Sequence, residues 1–136
     1  MKEENNKIIE EVLDEIESAL KDSRGVTFHQ RRLAFALSLG VVSLIESYLD
    51  KLGVFRPGAK INHLWLKKKK ENVKDLLSRQ ITCPVSSLKK IDEFLDIAYN
   101  IEKERNELAY GKTASEKVIK EKLDLFFKLK KEVENA

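Results

Sequence analysis

The sequence predicts an all-α fold, an up-and-down bundle of about five helices in a single domain spanning residues 1–136. Three observations predict it. The 136 residues include only 5 Gly and 2 Pro. Chain breaks are therefore scarce and the elements few and long, whereas a sandwich or barrel needs many turns. Apolar residues make up 42% and charged residues 36%, too apolar for a disordered chain and too charged for a membrane-embedded one. Five stretches repeat their apolar residues at three- and four-residue spacing, the period of an α-helix. The length suits one core and is short for two domains.

The first predicted helix covers about Glu3 to Asp22. Ile8, Ile9, Val12, Leu13, Ile16, Ala19 and Leu20 form its stripe, with acids opposite, and Ser23-Arg24-Gly25 ends it. The second covers about Thr27 to Leu52, with Thr27 as the expected cap. Its later part, LAFALSLGVVSLIESYL, is apolar nearly all round, the mark of a central or interface helix. Gly40 in its interior costs about 1 kcal/mol of helix propensity relative to Ala, which points to close approach of another helix there. Leu33 to Leu49 contains Ser38, Ser43, Glu46 and Ser47. Spanning a bilayer takes about 20 apolar residues, so this is a buried core helix and no membrane is expected.

The third stretch, about Ile61 to Arg79, is interrupted by Lys67 to Lys70 and is one helix or two short ones. Thr82-Cys83-Pro84 then breaks the chain. The fourth helix covers about Ser87 to Ala109, capped by Ser86 or Ser87. Leu88, Ile91, Leu95, Ala98, Ile101, Arg105 and Leu108 share one face, and Gly111 stops the helix. Ser115 caps the fifth, about Glu116 to Val133, with Val118, Ile119, Leu123, Phe126, Phe127 and Leu129 on its stripe.

Charge is distributed unevenly. The formal net charge is +3, but residues 1–22 carry −5, residues 23–84 carry +8 and residues 85–136 balance. The basic middle could meet nucleic acid or an acidic partner, or be a solvated surface offset by the acidic first helix. One cysteine, Cys83, excludes an internal disulfide and a Cys-rich zinc site, and fits a reducing, cytoplasmic setting. The acid-rich start is unlike a signal or transit peptide. No Gly-rich phosphate loop is present, and His29 and His63 form no local metal pattern. No metal or cofactor is therefore expected.

The most informative segment is ERNELAYGK, residues 104–112. Arg105 falls on the face assigned to the core, and a charge on a buried face needs a partner or a ligand. The plain alternative is a charged C-terminal turn that complements the helix dipole. Lys67, Lys68, Lys69 and Lys70 follow Trp65 by two residues. A basic run beside an aromatic suits phosphate contact with base stacking, although a solvated face with Trp65 in the core explains the pattern better. Arg31 and Arg32 at the start of the second helix are read the same way.

ERNELAYGK resembles the hallmark of HEPN domains (higher eukaryotes and prokaryotes nucleotide-binding), in which an Arg, often followed by Asn, precedes a His by four to six residues. ALSLGVVSLIESYLDKLG is similar to the central helix of that family, and the resemblance covers about residues 28–130. It implies a homodimeric all-α bundle whose paired Arg/His motifs meet across the dimer cleft. Many active members are metal-independent ribonucleases, and several are toxins paired with a nucleotidyltransferase antitoxin. Carried over, Arg105 is the motif Arg, Asn106 the polar residue after it, and Glu46 the acid on the central helix. Where the His is expected, this chain has Tyr110, and Lys112 stands where some members carry a modifiable Tyr. Metal-free RNA cleavage needs a proton acceptor for the 2′-hydroxyl. His serves near neutral pH, whereas Tyr, with a reference pKa of about 10, is a poor base. Tyr110 can still donate a hydrogen bond or stack on a base. The expectation is therefore a HEPN-like protein that binds RNA, a nucleotide or a partner protein in a toxin–antitoxin or RNA-processing setting. Lys67 to Lys70, Arg31, Arg32 and Lys112 are its candidate RNA contacts. The alternatives are an endoribonuclease toxin using Arg105, with His29 or His63 replacing the missing His, and a non-catalytic subunit of a nucleotidyltransferase pair.

Overall fold

The structure, a computed structural model, describes residues 2–136. The order of helices is α1 (Lys2–Lys21), α2 (Gln30–Lys51), α3 (Lys70–Ser78), α4 (Ile91–Glu102), α5 (Arg105–Tyr110) and α6 (Glu116–Glu134). Short 3₁₀ turns occupy Val26–His29, His63–Lys67 and Val85–Ser87. No strand is present among the described residues. One antiparallel bridge, Phe55 with Ile81, ties the two loops that flank the 3₁₀ turn at 63–67 and α3. The architecture is an all-α helical bundle, as the composition and periodicity predict.

Helix α2 is the centre of the bundle and packs against α1, α4, α5 and α6. That position explains its sequence, because a helix with neighbours on most sides must be apolar on most sides. Leu33, Leu37, Val41, Leu44, Ile45 and Leu49 are all buried. The segment Val26–Lys51 is long and apolar enough to cross a membrane, but 67% of its most apolar window is buried inside the bundle. Gly40 has the role its cost implies. A Cβ there would lie 2.5 Å from the Phe126 ring and 3.2 Å from Val12, so the glycine lets α6 and α1 approach the central helix on this side.

Several boundaries differ from the expectation. Thr27 does not cap α2. The chain makes a 3₁₀ turn at 26–29 first, entered from Gly25 at φ 91°, and α2 begins at Gln30 without a side-chain cap. Ser86 and Ser87 do not cap α4 either; Ser87 donates to the Pro84 carbonyl, and the residue before α4 is Lys90. The third stretch is two short pieces, because the lysine run cannot present one apolar face and the chain is extended at Lys68 and Lys69. Ser115 caps α6 as expected, accepting from the Val118 N–H.

The largest correction concerns the fourth helix, which breaks at Lys103–Glu104. The break has a visible cause. Lys122, buried on α6, donates to the Asn100 carbonyl at 2.6 Å and pairs with Glu104 at 2.9 Å. The carbonyl that the next turn would have satisfied is thus taken by an ammonium from a neighbouring helix. Arg105 therefore opens a new short helix instead of closing a long one.

Candidate functional site

A cavity of about 720 Å³ opens between α1, the middle of α2 and the 60–65 segment. Among its lining residues are Arg105, Glu46, His63, Trp65, Phe35 and Lys60. The fold thus brings together two expected residues, Arg105 and Glu46, that are 59 positions apart in the sequence. It also resolves the histidine question. His63 lines the same cavity as Arg105. His29 does not; it is buried against α1, where its Nε2 meets Asp22 at 2.7 Å and its Nδ1 lies 3.5 Å from Glu15.

Each side chain is held by local structure. Arg105 sits over the face of Phe35, with its guanidinium carbon 4.7 Å from the ring centroid. Its Nη1 donates to the Asn106 side chain at 3.1 Å, while its Nε is buried without a hydrogen-bond partner among the described residues. Phe35 also receives Tyr110 edge-on, ring centres 5.8 Å apart. Tyr110 is 72% exposed and lies outside the cavity lining, so it stands at the rim beyond the Arg105–Phe35 stack. Asn106 is exposed beside it.

Glu46 is buried and accepts the Ile61 N–H at 2.8 Å. That bond anchors the chain two residues before His63. Burial raises the Glu46 carboxyl above its ordinary value, against the opposing influence of the Ile61 N–H and Lys60. Asn62 then starts the 3₁₀ turn by accepting the Leu64 N–H. His63 is half-buried. Its Nδ1 faces the Glu102 carboxylate at 3.6 Å, and Glu102 is fully buried behind the cavity wall. Nδ1 is the His63 ring nitrogen that is shut away from solvent.

The polar atoms point to a built site. Six buried side-chain atoms among the described residues lack a hydrogen-bond partner in the protein: Asn5 Nδ2, Ser38 Oγ, His63 Nδ1, both Glu102 oxygens and Arg105 Nε. Four of these five residues line the cavity, and the fifth, Glu102, backs His63. Buried polar groups are normally satisfied, so a cluster of orphans around one cavity marks a place where its contents complete the bonding. No group of three or more His, Cys, Asp or Glu among the described residues is placed to hold a metal ion.

The other expected contacts lie elsewhere. Lys67, Lys68, Lys69 and Lys70 border a separate hollow of about 280 Å³ beside α4, where Lys70 pairs with Asp96 at 2.8 Å. Trp65, which precedes them, is half-buried in the main cavity wall. Arg31 donates to the Gly111 carbonyl and Arg32 pairs with Glu15. Lys112 is exposed, and its carbonyl accepts from Gln30. Two residues in the arrangement escaped the sequence reading. Glu102 was legible, because 95, 98, 102 and 105 share one helical stripe. Lys60 carried no signal, since only the fold brings its loop to α2.

Comparison with protein-family models, with curated proteins and with solved structures returns no match.

Proposed function

We propose that the protein is a HEPN-like RNA-binding bundle that acts as a homodimer in a toxin–antitoxin or RNA-processing setting. One observation carries this reading: Arg105, the motif arginine, shares a cavity with Glu46, Lys60 and Trp65. A guanidinium with an unsatisfied Nε and an ammonium suit a phosphate, and an indole in the wall suits a stacked base. The apolar rim supports the dimer. Phe35, Leu39 and Val42 line the cavity from α2, and Leu39 is 59% exposed. A second copy set on this stripe would cover it and bring two cavities together.

Binding of a short single-stranded RNA, followed by fluorescence anisotropy over a range of salt concentrations, tests the reading. Affinity is expected to fall steeply with salt. Arg105→Ala is expected to weaken it about tenfold or more, the scale of one charged hydrogen bond. Absent binding, or binding indifferent both to salt and to Arg105, overturns the proposal.

A further inference from the structure

We infer that the cavity takes in one base of the bound RNA and that Glu46 selects guanine as that base. This role rests on the RNA-binding reading and adds a sequence preference to it. The buried part of the lining carries it. Asn5 and Ser38, each 4% exposed, line the cavity, and Asn5 Nδ2 and Ser38 Oγ have no hydrogen-bond partner among the described residues. Ser38, Val42 and Glu46 also line it and follow one another at four-residue spacing on α2, so they share a face of that helix. Glu46 is 7% exposed and accepts the Ile61 N–H through Oε2 at 2.8 Å. A backbone N–H needs only one acceptor. A side-chain amide would supply it without the cost of burying a charge. The carboxylate brings a second acceptor oxygen, in a residue that lines the cavity.

The choice of base follows from donors and acceptors. An ionised carboxyl only accepts. On its Watson–Crick edge guanine presents two adjacent N–H donors, at N1 and N2, beside the O6 acceptor. Adenine and cytosine present an amino donor next to an unprotonated ring nitrogen. Uracil presents one N–H between two carbonyls. Each of these three would turn a lone pair toward the carboxylate, and a buried site rejects a partner that leaves its polar groups unpaired. Guanine alone offers Glu46 two neighbouring donors, and its O6 accepts from an amide nitrogen such as Asn5 Nδ2. Trp65 gives the wall an aromatic surface of the kind on which bases stack, and Arg105 and Lys60 are cations on the same lining for the phosphate of that nucleotide. No covalent bond forms or breaks; Glu46 acts on specificity.

The test uses the full chain and a set of short oligouridines, one unmodified and the others carrying a single guanosine, adenosine, cytidine or inosine. Fluorescence anisotropy at one salt concentration gives the Kd of each. The wild type is expected to bind the guanosine strand about tenfold or more tighter than the other natural strands, the scale of a hydrogen bond to a charged group. Inosine keeps N1–H and O6 but lacks the N2 amino group, so it should lose part of that advantage. Glu46→Gln keeps an oxygen for the Ile61 N–H and meets the base with an amide. It is expected to bind the all-uridine strand as the wild type does, to lose the guanosine preference, and to treat guanosine and inosine alike. A merely structural role for Glu46 would weaken all strands together. Equal binding of the four natural strands by the wild type overturns the inference and leaves the RNA-binding reading standing. So does a wild type that binds inosine as tightly as guanosine, or a Glu46→Gln protein that keeps the guanosine preference. A wild type that binds no strand overturns both.

Discussion

At the scale of single residues, Glu46 shows how a polar side chain in an apolar helix does positional work. Its carboxylate sits on the central helix, yet its partner is a backbone N–H fifteen residues later, just before His63. Holding that carboxyl in the interior raises its pKa from the ordinary 4.5. In the unfolded chain the group releases its proton near 4.5; in the folded chain it does so at higher pH. Between the two values the folded state holds more protons, so stability falls as pH rises through that window. Glu46→Gln removes the charge and keeps an oxygen for Ile61. The variant is expected to match the wild type below pH 4.5 and to exceed it in stability at pH 7, as urea titrations at both pH values would show. A variant less stable at pH 7 than the wild type would mean that the ionised form is the one the site holds.

At the scale of elements, the decisive event is the break between α4 and α5, and it depends on a residue of α6. Lys122 is buried, takes the Asn100 carbonyl, and holds the Glu104 carboxyl below its usual range through their ion pair. Lys122→Met leaves that carbonyl without its donor and frees Glu104. The expected loss is about 1–3 kcal/mol, read from the urea midpoint. Periodicity could not have located this break. Ile91, Leu95, Ala98, Ile101 and Leu108 keep helical spacing straight through it, and the cause lies about twenty residues away. What was legible was the stripe itself, the central helix, the reason for Gly40, and the partly buried position of Arg105. The caps at Thr27 and Ser87 were misread because both residues have capping side chains in positions where the backbone turns 3₁₀ first. The His63–Arg105 meeting was open in the sequence and needed the tertiary fold, since a loop with no periodic pattern carries His63 to α2.

At the scale of the whole molecule, the same central helix serves the core on one side and a surface stripe on the other. Leu39 is the most exposed member of that stripe. Leu39→Glu keeps a good helix former and changes a surface position, so the folded protomer should lose no more than about 0.5 kcal/mol. In a dimer built on this face it would bury a charge. Sedimentation is expected to show a dimer for the wild type and a monomer for the variant at equal helicity; two dimers would move the interface off α2. A different consequence follows from Gln30, buried at the first residue of that helix. Its amide nitrogen donates to the Leu108 and Lys112 carbonyls, and its oxygen accepts the Ala114 N–H at 2.7 Å. The loop after α5 is therefore laced to the base of the central helix. The Ala114 amide, the one loop N–H that this side chain holds, should exchange with deuterated solvent more slowly than those of its exposed neighbours Lys112 and Thr113. Arg105's short helix is thus fastened, through its Leu108 carbonyl, to the first residue of the central helix.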